Sequence, residues 1–368
     1  MNEIILAIES SCDETAISII ETKKDDSLNK VTALKILAHE VESQHASHAP
    51  FGGVVPEVAA RDHLAKIYDI TDCALKKANM SSNQITKIAV TMGPGLIGAL
   101  MVGVLFARGL ATALNVPLQA INHVDAHLAP ALLLQQFSPL SDLNEWLTIQ
   151  TISYPAIALT VSGGHCHLSY LENANIKKIL GTTLDDACGE AFDKVAKLLG
   201  LEYPGGPLIE KLALAAEKTS YSDIYRFPHK IADKENRYAF SYSGLKTAVM
   251  EVIRKETGIK KGKITGKDLS LEKKQQIAYS FQIAALKQLF DRVANATLDF
   301  PEVKSILIAG GVAQNNKFRE LFKSFKQQII FAPPALCSDN ATMIALQTIV
   351  SENPDGFKTQ PFPKYTLN

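Results

Sequence analysis

The sequence has 368 residues, of which 46% are hydrophobic and 21% are charged, enough apolar material for two domains with buried cores. This composition excludes an intrinsically disordered chain. Basic and acidic residues number 38 each, so no net charge marks a nucleic-acid-binding protein, and any such surface must be a local patch.

Apolar runs and polar turns occur in the same order in two parts of the chain. A strand, a tight turn and a second strand are predicted for "EIILAIE", "SSCDET" and "AISII", and again for "AIALTV", "SGGH" and "CHLSYL". Later in each part come a predicted strand, a glycine-rich turn and a helix, in "KIAVTMGPGLIGALMVGVLFARGLA" and in "SILIAGGVAQNNKFRELF". This repeated order predicts two related α/β lobes that face one another across a cleft.

We place the first lobe at residues 1–121 and the second at 122–339, with the C-terminal helix and tail, 340–368, returning to the first lobe. The lysine-rich segment 254–274 is predicted to be an exposed insert of the second lobe. The N-terminus has no signal-peptide pattern, and we expect no membrane span. The scattered cysteines show no disulfide or zinc spacing, so we expect a cytoplasmic protein.

Two histidines lie in the stretch "PLQAINHVDAHLAPALLL", which follows a predicted buried strand. His123 and His127 are four residues apart, so both would project from the same face of a helix capped by Asn122. Pro130 is expected to bend that helix beyond them. Paired imidazoles suit a divalent transition metal, whereas the alternative is that each is a core or capping residue.

A third ligand has to come from another part of the chain. Val124 stands where an HExxH metalloprotease has glutamate, which disfavours that class. Asp339, in "CSDNATMIA", lies where a strand-like run gives way to a helix, although nothing in the spacing ties it to the histidines. Two histidines and one carboxylate suit Fe(II), with Zn(II) or Mn(II) as alternatives.

The glycine turns in "TVSGGHCHL", "AGGVAQNN" and "MGPGLIG" allow backbone N–H groups to approach an anion closely. None matches the P-loop or the dinucleotide-binding fingerprint. Each turn alone is most simply an ordinary turn. Their paired occurrence in a repeated architecture favours a nucleotide cleft.

A set of motifs occurs in a fixed order along nearly the whole chain: "ESSCDET", "FGGVVPEVAARDH", "GPGLIGALMVG", "HVDAH", "VSGGH", "LDDACGEAFDKVAKLLGLEYPGGP", "FSYSGLKT", "AGGVAQN" and "CSDN". Together they resemble the tRNA N6-adenosine threonylcarbamoyltransferase family, formerly described as O-sialoglycoprotein endopeptidases. The resemblance implies an actin/Hsp70/sugar-kinase-like (ASKHA) fold, with duplicated RNase-H-like lobes around a central cleft.

The resemblance also implies roles for individual residues. His123, His127 and Asp339 match the family's metal ligands, which implies one divalent ion per subunit, Fe(II) before Zn(II) or Mn(II). The residues that match its adenylate contacts are Val161, Ser162, Gly163, Gly164, His165, Asp193, Gly206 and Asn315. Of these, Asp193 is expected on the ribose hydroxyls. Asn122 stands where many bacterial members have a further histidine.

The implied reaction moves a threonylcarbamoyl group from threonylcarbamoyl-AMP to the N6 amine of adenosine 37 in tRNAs that read codons beginning with A, and AMP leaves. A mixed anhydride is already activated, so the enzyme mainly positions it and stabilises charge. Asp13 and Glu14 are candidate catalytic residues. The alternative is that they are simple hairpin-turn residues.

The family implies four partners besides the donor: tRNA, a paralogous actin-like subunit, a small P-loop ATPase and an upstream threonylcarbamoyl-AMP synthase. The paralogous subunit would contact residues 51–78, where the apolar residues Leu64, Ile67, Ile70 and Leu75 have the spacing of a core-facing helix. The basic insert is either a tRNA phosphate contact or a solvated loop. The rival functions are an actin-fold small-molecule kinase and a noncatalytic scaffold or chaperone subunit.

Overall fold

The computed structural model describes residues 2–25, 27, 30–134, 143–174, 177–218, 225–228, 235–259, 264–350 and 352–364. The chain divides into two compact units. Unit 1 combines Met1–Ile152 with Ile330–Asn368, and unit 2 is Ser153–Ile329. These boundaries differ from the predicted ones at 121/122 and 339/340, because the segment after residue 122 packs against the C-terminal helix and so stays in unit 1.

Unit 1 contains a six-stranded sheet in the order β5-β4-β1-β2-β3-β6. Its strands are β1 Glu3–Glu9, β2 Glu14–Asp25, β3 Lys30–Ser43, β4 Lys87–Gly93, β5 Leu118–Asn122 and β6 Leu147–Thr148. The antiparallel hairpin β1–β2 aligns Glu9 with Ala16, and β4 and β5 add parallel strands beside β1. The predicted hairpin and the strand that follows it are both present.

Helices cover both faces of this sheet. They are α1 His45–His48, α2 Pro56–Lys77, α3 Ile97–Leu114, α4 His123–Ala126, α5 Ala129–Leu133 and α11 Ala341–Val350. Ile17 and Ile19 of β2 lie in the core cluster with residues of α2 and α3. Ser18, between them, hydrogen-bonds Thr342 of α11 at 2.8 Å. Since side chains alternate along a strand, α11 lies on the face opposite α2 and α3.

The predicted bent helix around the two histidines is instead two separate helices. Helix α4 ends at Ala126, and α5 begins at Ala129 with Pro130 in its first turn. Proline is tolerated there because its missing N–H would have no helical partner. The proline therefore starts a new helix rather than bending an old one.

Unit 2 contains a five-stranded sheet in the order β11-β10-β7-β8-β9. Its strands are β7 Ala156–Val161, β8 Cys166–Leu171, β9 Lys177–Thr182, β10 Ser305–Ala309 and β11 Gln328–Phe331. This is the order of β5-β4-β1-β2-β3 in unit 1, with the hairpin again first in the chain and a parallel strand beside it. The duplicated RNase-H-like sheets confirm the predicted α/β fold class.

The described residues of unit 2 form five helices: α6 Cys188–Leu198, α7 Gly205–Glu217, α8 Ser243–Thr257, α9 Leu271–Asp299 and α10 Asn316–Phe322. The predicted glycine-rich turn before α10 contains a 3-10 turn over Gly311–Gln314. The lysine-rich insert runs from the end of α8 to the start of α9. Its residues 260–263, and with them part of the predicted tRNA contact, lie outside the described residues.

Helix α3 is the one helix of the described chain whose length and composition would suit a membrane span, with 33% of it buried. A core helix meets the same criteria, so this is weak evidence. Here α3 packs on α2 and β4, and its Arg108 donates to the carbonyl oxygens of Gly356 and Thr359.

Two glycines of α3 test how tightly this helix fits the turn after β1. A β-carbon at Gly103 would lie 2.2 Å from Ser10 Oγ, whereas one at Gly109 would meet nothing within 4 Å. We expect Gly103→Ala to lower the free energy of unfolding by about 1–3 kcal/mol through overpacking. Gly109→Ala should raise it by up to about 1 kcal/mol through helix propensity. Urea unfolding of both variants measures these free energies. Equal changes for the two variants would contradict the close packing at Gly103.

Candidate functional site

Two imidazoles and a carboxylate converge in unit 1. His123 Nε2 lies 3.5 Å from Asp339 Oδ1, and His127 Nε2 lies 3.3 Å from the same oxygen. The two rings stand nearly perpendicular, with centroids 4.8 Å apart. Ligand atoms about 2.1 Å from a tetrahedral metal lie roughly 3.4 Å from one another, so the observed spacing fits a shared divalent ion.

The end of β5 sets the direction of both histidines. Asn122 Oδ1 accepts hydrogen bonds from the N–H groups of Val124, at 2.9 Å, and Asp125, at 3.2 Å. This is the predicted N-cap, and it turns the chain directly from the strand into α4. His123 is the first residue of that helix and His127 caps its end, so one turn separates the imidazoles.

The third member of the triad is placed by a different cap. Asn340 Oδ1 accepts from the N–H of Met343 at 3.0 Å and so begins α11. The neighbouring Asp339 is therefore not needed as the cap, and its carboxylate faces the histidines instead. The structure thus gives the cap to Asn340 and leaves the Asp339 carboxylate beside the two imidazoles.

Charge and burial also fit a cation. His123 and His127 are buried, and neither ring nitrogen of His127 has a hydrogen-bond partner among the described residues. Burial alone would lower the pKa of His123, but the carboxylates of Asp339 and Glu9 outweigh it and raise the pKa to about 9. The negative charge that favours a proton on His123 would also favour a metal ion. The two compete, because His123 must lose that proton before it can bind a metal.

The candidate catalytic carboxylates lie in the β1–β2 turn. Asp13 Oδ2 is 3.9 Å and Glu14 Oε1 is 3.7 Å from His45 Nε2. Burial, followed by the charges of Asp339 and Asp13, raises the pKa of Glu14 well above its usual value. Asp13, Glu14 and His45 form a second group whose atoms could hold a metal ion.

In unit 2, the predicted adenylate loop is a tight turn between β7 and β8. Ser162 N–H donates to the His165 carbonyl at 2.8 Å, which closes the turn around Gly163 and Gly164. β-Carbons at these two glycines would meet nothing within 4 Å, so the turn has open space beside it. Val161, which precedes the turn, is the buried last residue of β7.

Helix α6 joins this turn to Asp193. A β-carbon at Gly189 would lie 2.8 Å from the Cα of Gly163, so the helix starts in direct contact with the turn. Asp193 follows one helical turn later and accepts from the N–H of Gly205 at 2.7 Å. The neighbouring Gly206 has open space where a side chain would be. Five loop residues, Asp193 and Gly206 thus belong to one connected part of unit 2.

Asn315 is held differently. Its Oδ1 caps α10 by accepting from Phe318 N–H at 3.0 Å, and its Nδ2 donates to Gln282 at 2.9 Å. The side chain is buried. Each end of this amide therefore has one structural partner. An adenylate contact would use the second N–H or the second lone pair, and it stays a prediction.

The family model described as "TsaD: tRNA N6-adenosine threonylcarbamoyltransferase" matches residues 35–346. The chain belongs to this family.

A curated relative of that name from Thermosipho melanesiensis is 41% identical to this chain, and the match covers 93% of both chains. Another, from Chlamydia pneumoniae, is 42% identical over 93% of this chain and 90% of the relative. The relative of the same name in Bacillus subtilis is 41% identical over 93% of this chain and 88% of its own. A solved structure of an (R)-2-hydroxyglutaryl-CoA dehydratase component from Acidaminococcus fermentans, 14% identical, covers 95% of this chain and 100% of its own with a TM-score of 0.43. As a TsaD family member, the protein is a transferase that acts on tRNA.

Sequence reasoning missed several residues of this TsaD site. Glu9, Ser11 and Thr91 form a hydrogen-bonded network behind His123. Gly189 lies against the predicted adenylate turn, and a β-carbon there would be 2.8 Å from the Cα of Gly163. The "AGGVAQNN" turn was noted for its glycines, but not that a β-carbon at Gly310 would lie 2.3 Å from the Val161 carbonyl oxygen. The one usable signal was Glu9, a carboxylate that ends an otherwise apolar strand.

Variants of Asn315 separate its structural bonds from any contact with adenylate. Asn315→Ala removes the cap and the bond to Gln282, so the free energy of unfolding should fall by about 1–3 kcal/mol. Asn315→Asp keeps an oxygen for the cap and should recover part of that loss. Urea unfolding without nucleotide is the measurement, and an alanine variant as stable as the parent would contradict it.

Proposed function

We propose that the protein transfers the threonylcarbamoyl group from threonylcarbamoyl-AMP to the N6 amine of adenosine 37 in tRNA and releases AMP. The observation that carries the proposal is the convergence of His123, His127 and Asp339 in a member of the TsaD family. The open glycine turn of residues 161–165 supports it as a place for the adenylate.

The reaction needs no covalent enzyme intermediate, because the carbamoyl group of the donor is already activated. The N6 nitrogen attacks the carbamoyl carbon, a C–N bond forms, the C–O bond to phosphate breaks, and AMP leaves with the bonding electrons. The amine loses one proton, which a nearby base must accept. Positioning and stabilisation of developing charge then account for most of the acceleration.

We assign proton acceptance to the turn that carries Asp13 and Glu14. A carboxylate whose pKa is raised is a stronger base, and the pKa of Glu14 is raised by burial and by its acidic neighbours. The turn that follows Val161 would offer the backbone N–H groups of Gly163 and Gly164 to phosphate oxygens, and Asp193 would accept from the ribose hydroxyls. Asp193 already accepts from Gly205, which fixes the direction of its carboxylate.

One divalent metal, Fe(II) by preference and Zn(II) or Mn(II) otherwise, would be held by His123, His127 and Asp339. The donor set fits, because two buried imidazoles and one carboxylate are the ligands these ions share. When bound, such an ion supplies Lewis acidity and a fixed point for the donor's oxygens.

The first test is His127→Ala, which removes one ligand. The fold should remain, because neither ring nitrogen of His127 has a hydrogen-bond partner among the described residues. Metal affinity should fall by more than about 100-fold, beyond the ~10–100-fold typical for residues that only support a ligand. Transfer is measured by mass spectrometry of tRNA adenosine, after incubation with threonine, bicarbonate, ATP, the synthase and the partner subunits.

The matched control is His39→Gln, which alters a histidine of the same unit that bonds Thr342 rather than the triad. It should keep its metal and its product yield. If His127→Ala transfers at the full rate with metal rigorously removed, the proposed role of the triad is wrong.

An exposed apolar face on α2 and α3 supports a partner subunit. Leu64 and Tyr68 of α2 are 70% and 71% exposed, and Ile97, Met101 and Leu105 of α3 form a second exposed row at four-residue spacing. Ile67 and Ile70 are buried as predicted, whereas Leu64 points outward. We propose that this face binds the paralogous actin-like subunit, because exposed apolar patches mark interfaces. The P-loop ATPase and the synthase are proposed as further partners, without a binding surface assigned to them.

The face is tested by Leu64→Glu combined with Leu105→Glu. One charge on each helix should weaken binding of the paralogous subunit by at least about 10-fold, since buried apolar contacts dominate such interfaces. Leu298→Glu is the control, because Leu298 is 73% exposed on α9 of unit 2. Sedimentation velocity of each variant mixed with the paralogous subunit measures this affinity. Unchanged affinity of the double variant would move the interface elsewhere.

A further inference from the structure

Glu9 is a fully buried carboxylate at the end of β1, next to the triad but not part of it. Its Oε1 accepts from the N–H of Ser11 at 2.6 Å. Its Oε2 accepts from Thr91 Oγ1 at 2.5 Å and lies 3.0 Å from Nδ1 of His123. A buried carboxylate in an apolar strand is costly unless such partners satisfy it.

The contact with His123 decides which ring nitrogen is available. A neutral imidazole carries one N–H, and only the other nitrogen can bind a metal. A carboxylate accepts but cannot donate, so a proton on Nδ1 is favoured by Glu9. In the neutral ring, the form that binds a metal, Nε2 is then the nitrogen that carries the lone pair, and it lies 3.5 Å from Asp339.

We propose that Glu9 is a positioning residue that fixes the tautomer and ring direction of His123 for metal binding. The inference rests on the proposed metal site and adds to it a residue that does not itself touch the ion. Carboxylates that hold metal-bound histidines in this way raise ligand basicity and orient the ring.

Thr91 and Ser11 complete the arrangement. They occupy one oxygen each, so the carboxylate of Glu9 cannot rotate without losing a hydrogen bond. Ser11 Oγ also lies 3.2 Å from Nδ1 of His123 and can accept from the same N–H. The imidazole is thus held from the side opposite Asp339 by groups that belong to two strands and the turn after β1.

Replacing Glu9 by glutamine should reverse the tautomer preference of His123 while nearly keeping the shape of the Glu9 side chain. The Ser11 N–H requires the amide oxygen at the Oε1 position. The NH₂ group then takes the Oε2 position, where it can donate to Thr91 Oγ1 and to His123 Nδ1. A donor at Nδ1 selects the tautomer with its proton on Nε2, which is the nitrogen the metal needs.

The experiment compares Glu9→Gln with Glu3→Gln, the same change at the exposed start of β1, where Glu3 pairs with Lys87. The affinities of the full-length proteins for Zn(II) alone are measured by competition with a chromophoric chelator, and urea unfolding confirms that each is folded. We expect Glu9→Gln to bind Zn(II) about 10- to 100-fold more weakly and Glu3→Gln to match the parent. Equal affinities for all three proteins would overturn the inference while leaving the metal site intact.

A second measurement does not depend on whether a Glu9 variant folds. In ¹⁵N-histidine-labelled protein loaded with Zn(II), His123 is assigned by its absence in His123→Gln. Its ring nitrogens should show a protonated Nδ1 and a metal-bound Nε2. Binding through Nδ1 would overturn the inference alone. A parent protein that binds no Zn(II) would overturn both the inference and the proposed metal site.

Discussion

Crowded negative charge is the constraint on which this site depends. Glu9, Asp13, Glu14 and Asp339 interact with one another electrostatically, and each raises the pKa of at least one group nearby. Buried like charges of this kind destabilise a fold unless a positive charge stands among them. In the protein alone, that charge is the proton on His123. A bound divalent cation would serve the same purpose with twice the charge, so the chemistry that binds the ion and the forces that stabilise the fold favour the same arrangement.

The two units use one topology for two kinds of chemistry. In both sheets the hairpin strand lies beside a parallel strand, and the functional residues follow the strand ends. In unit 1 those ends lead to imidazoles and carboxylates, whereas in unit 2 they lead to glycines at Gly163 and Gly310. Side chains with metal-ligand atoms and glycines that leave the backbone accessible are two different ways in which a strand end can offer contacts to a charged group.

Much of this could be read from the sequence, because local patterns carry it. The hairpins, the strand-turn-helix order and the Asn122 cap all follow from periodicity and capping rules. The pairing of Asp339 with the histidines could not be read that way, since it depends on how distant segments pack, and only the family resemblance indicated it. Pro130 was misjudged because the same residue can end one helix or begin another. Leu64 was ambiguous because helical spacing does not say which side of an apolar stripe is covered.

The ligand triad joins residues that lie far apart in the chain, and this has a consequence for how the protein is made. Unit 2 is encoded wholly between the two pieces of unit 1, so its sheet can be completed while the first piece still waits for α11. During translation His123 and His127 emerge long before Asp339. A nascent chain therefore carries a pair of imidazoles without the carboxylate, and the full donor set exists only after the ribosome has passed α11. If the triad binds an ion as proposed, its complete donor set would therefore form only once the segment that carries Asp339 has been made.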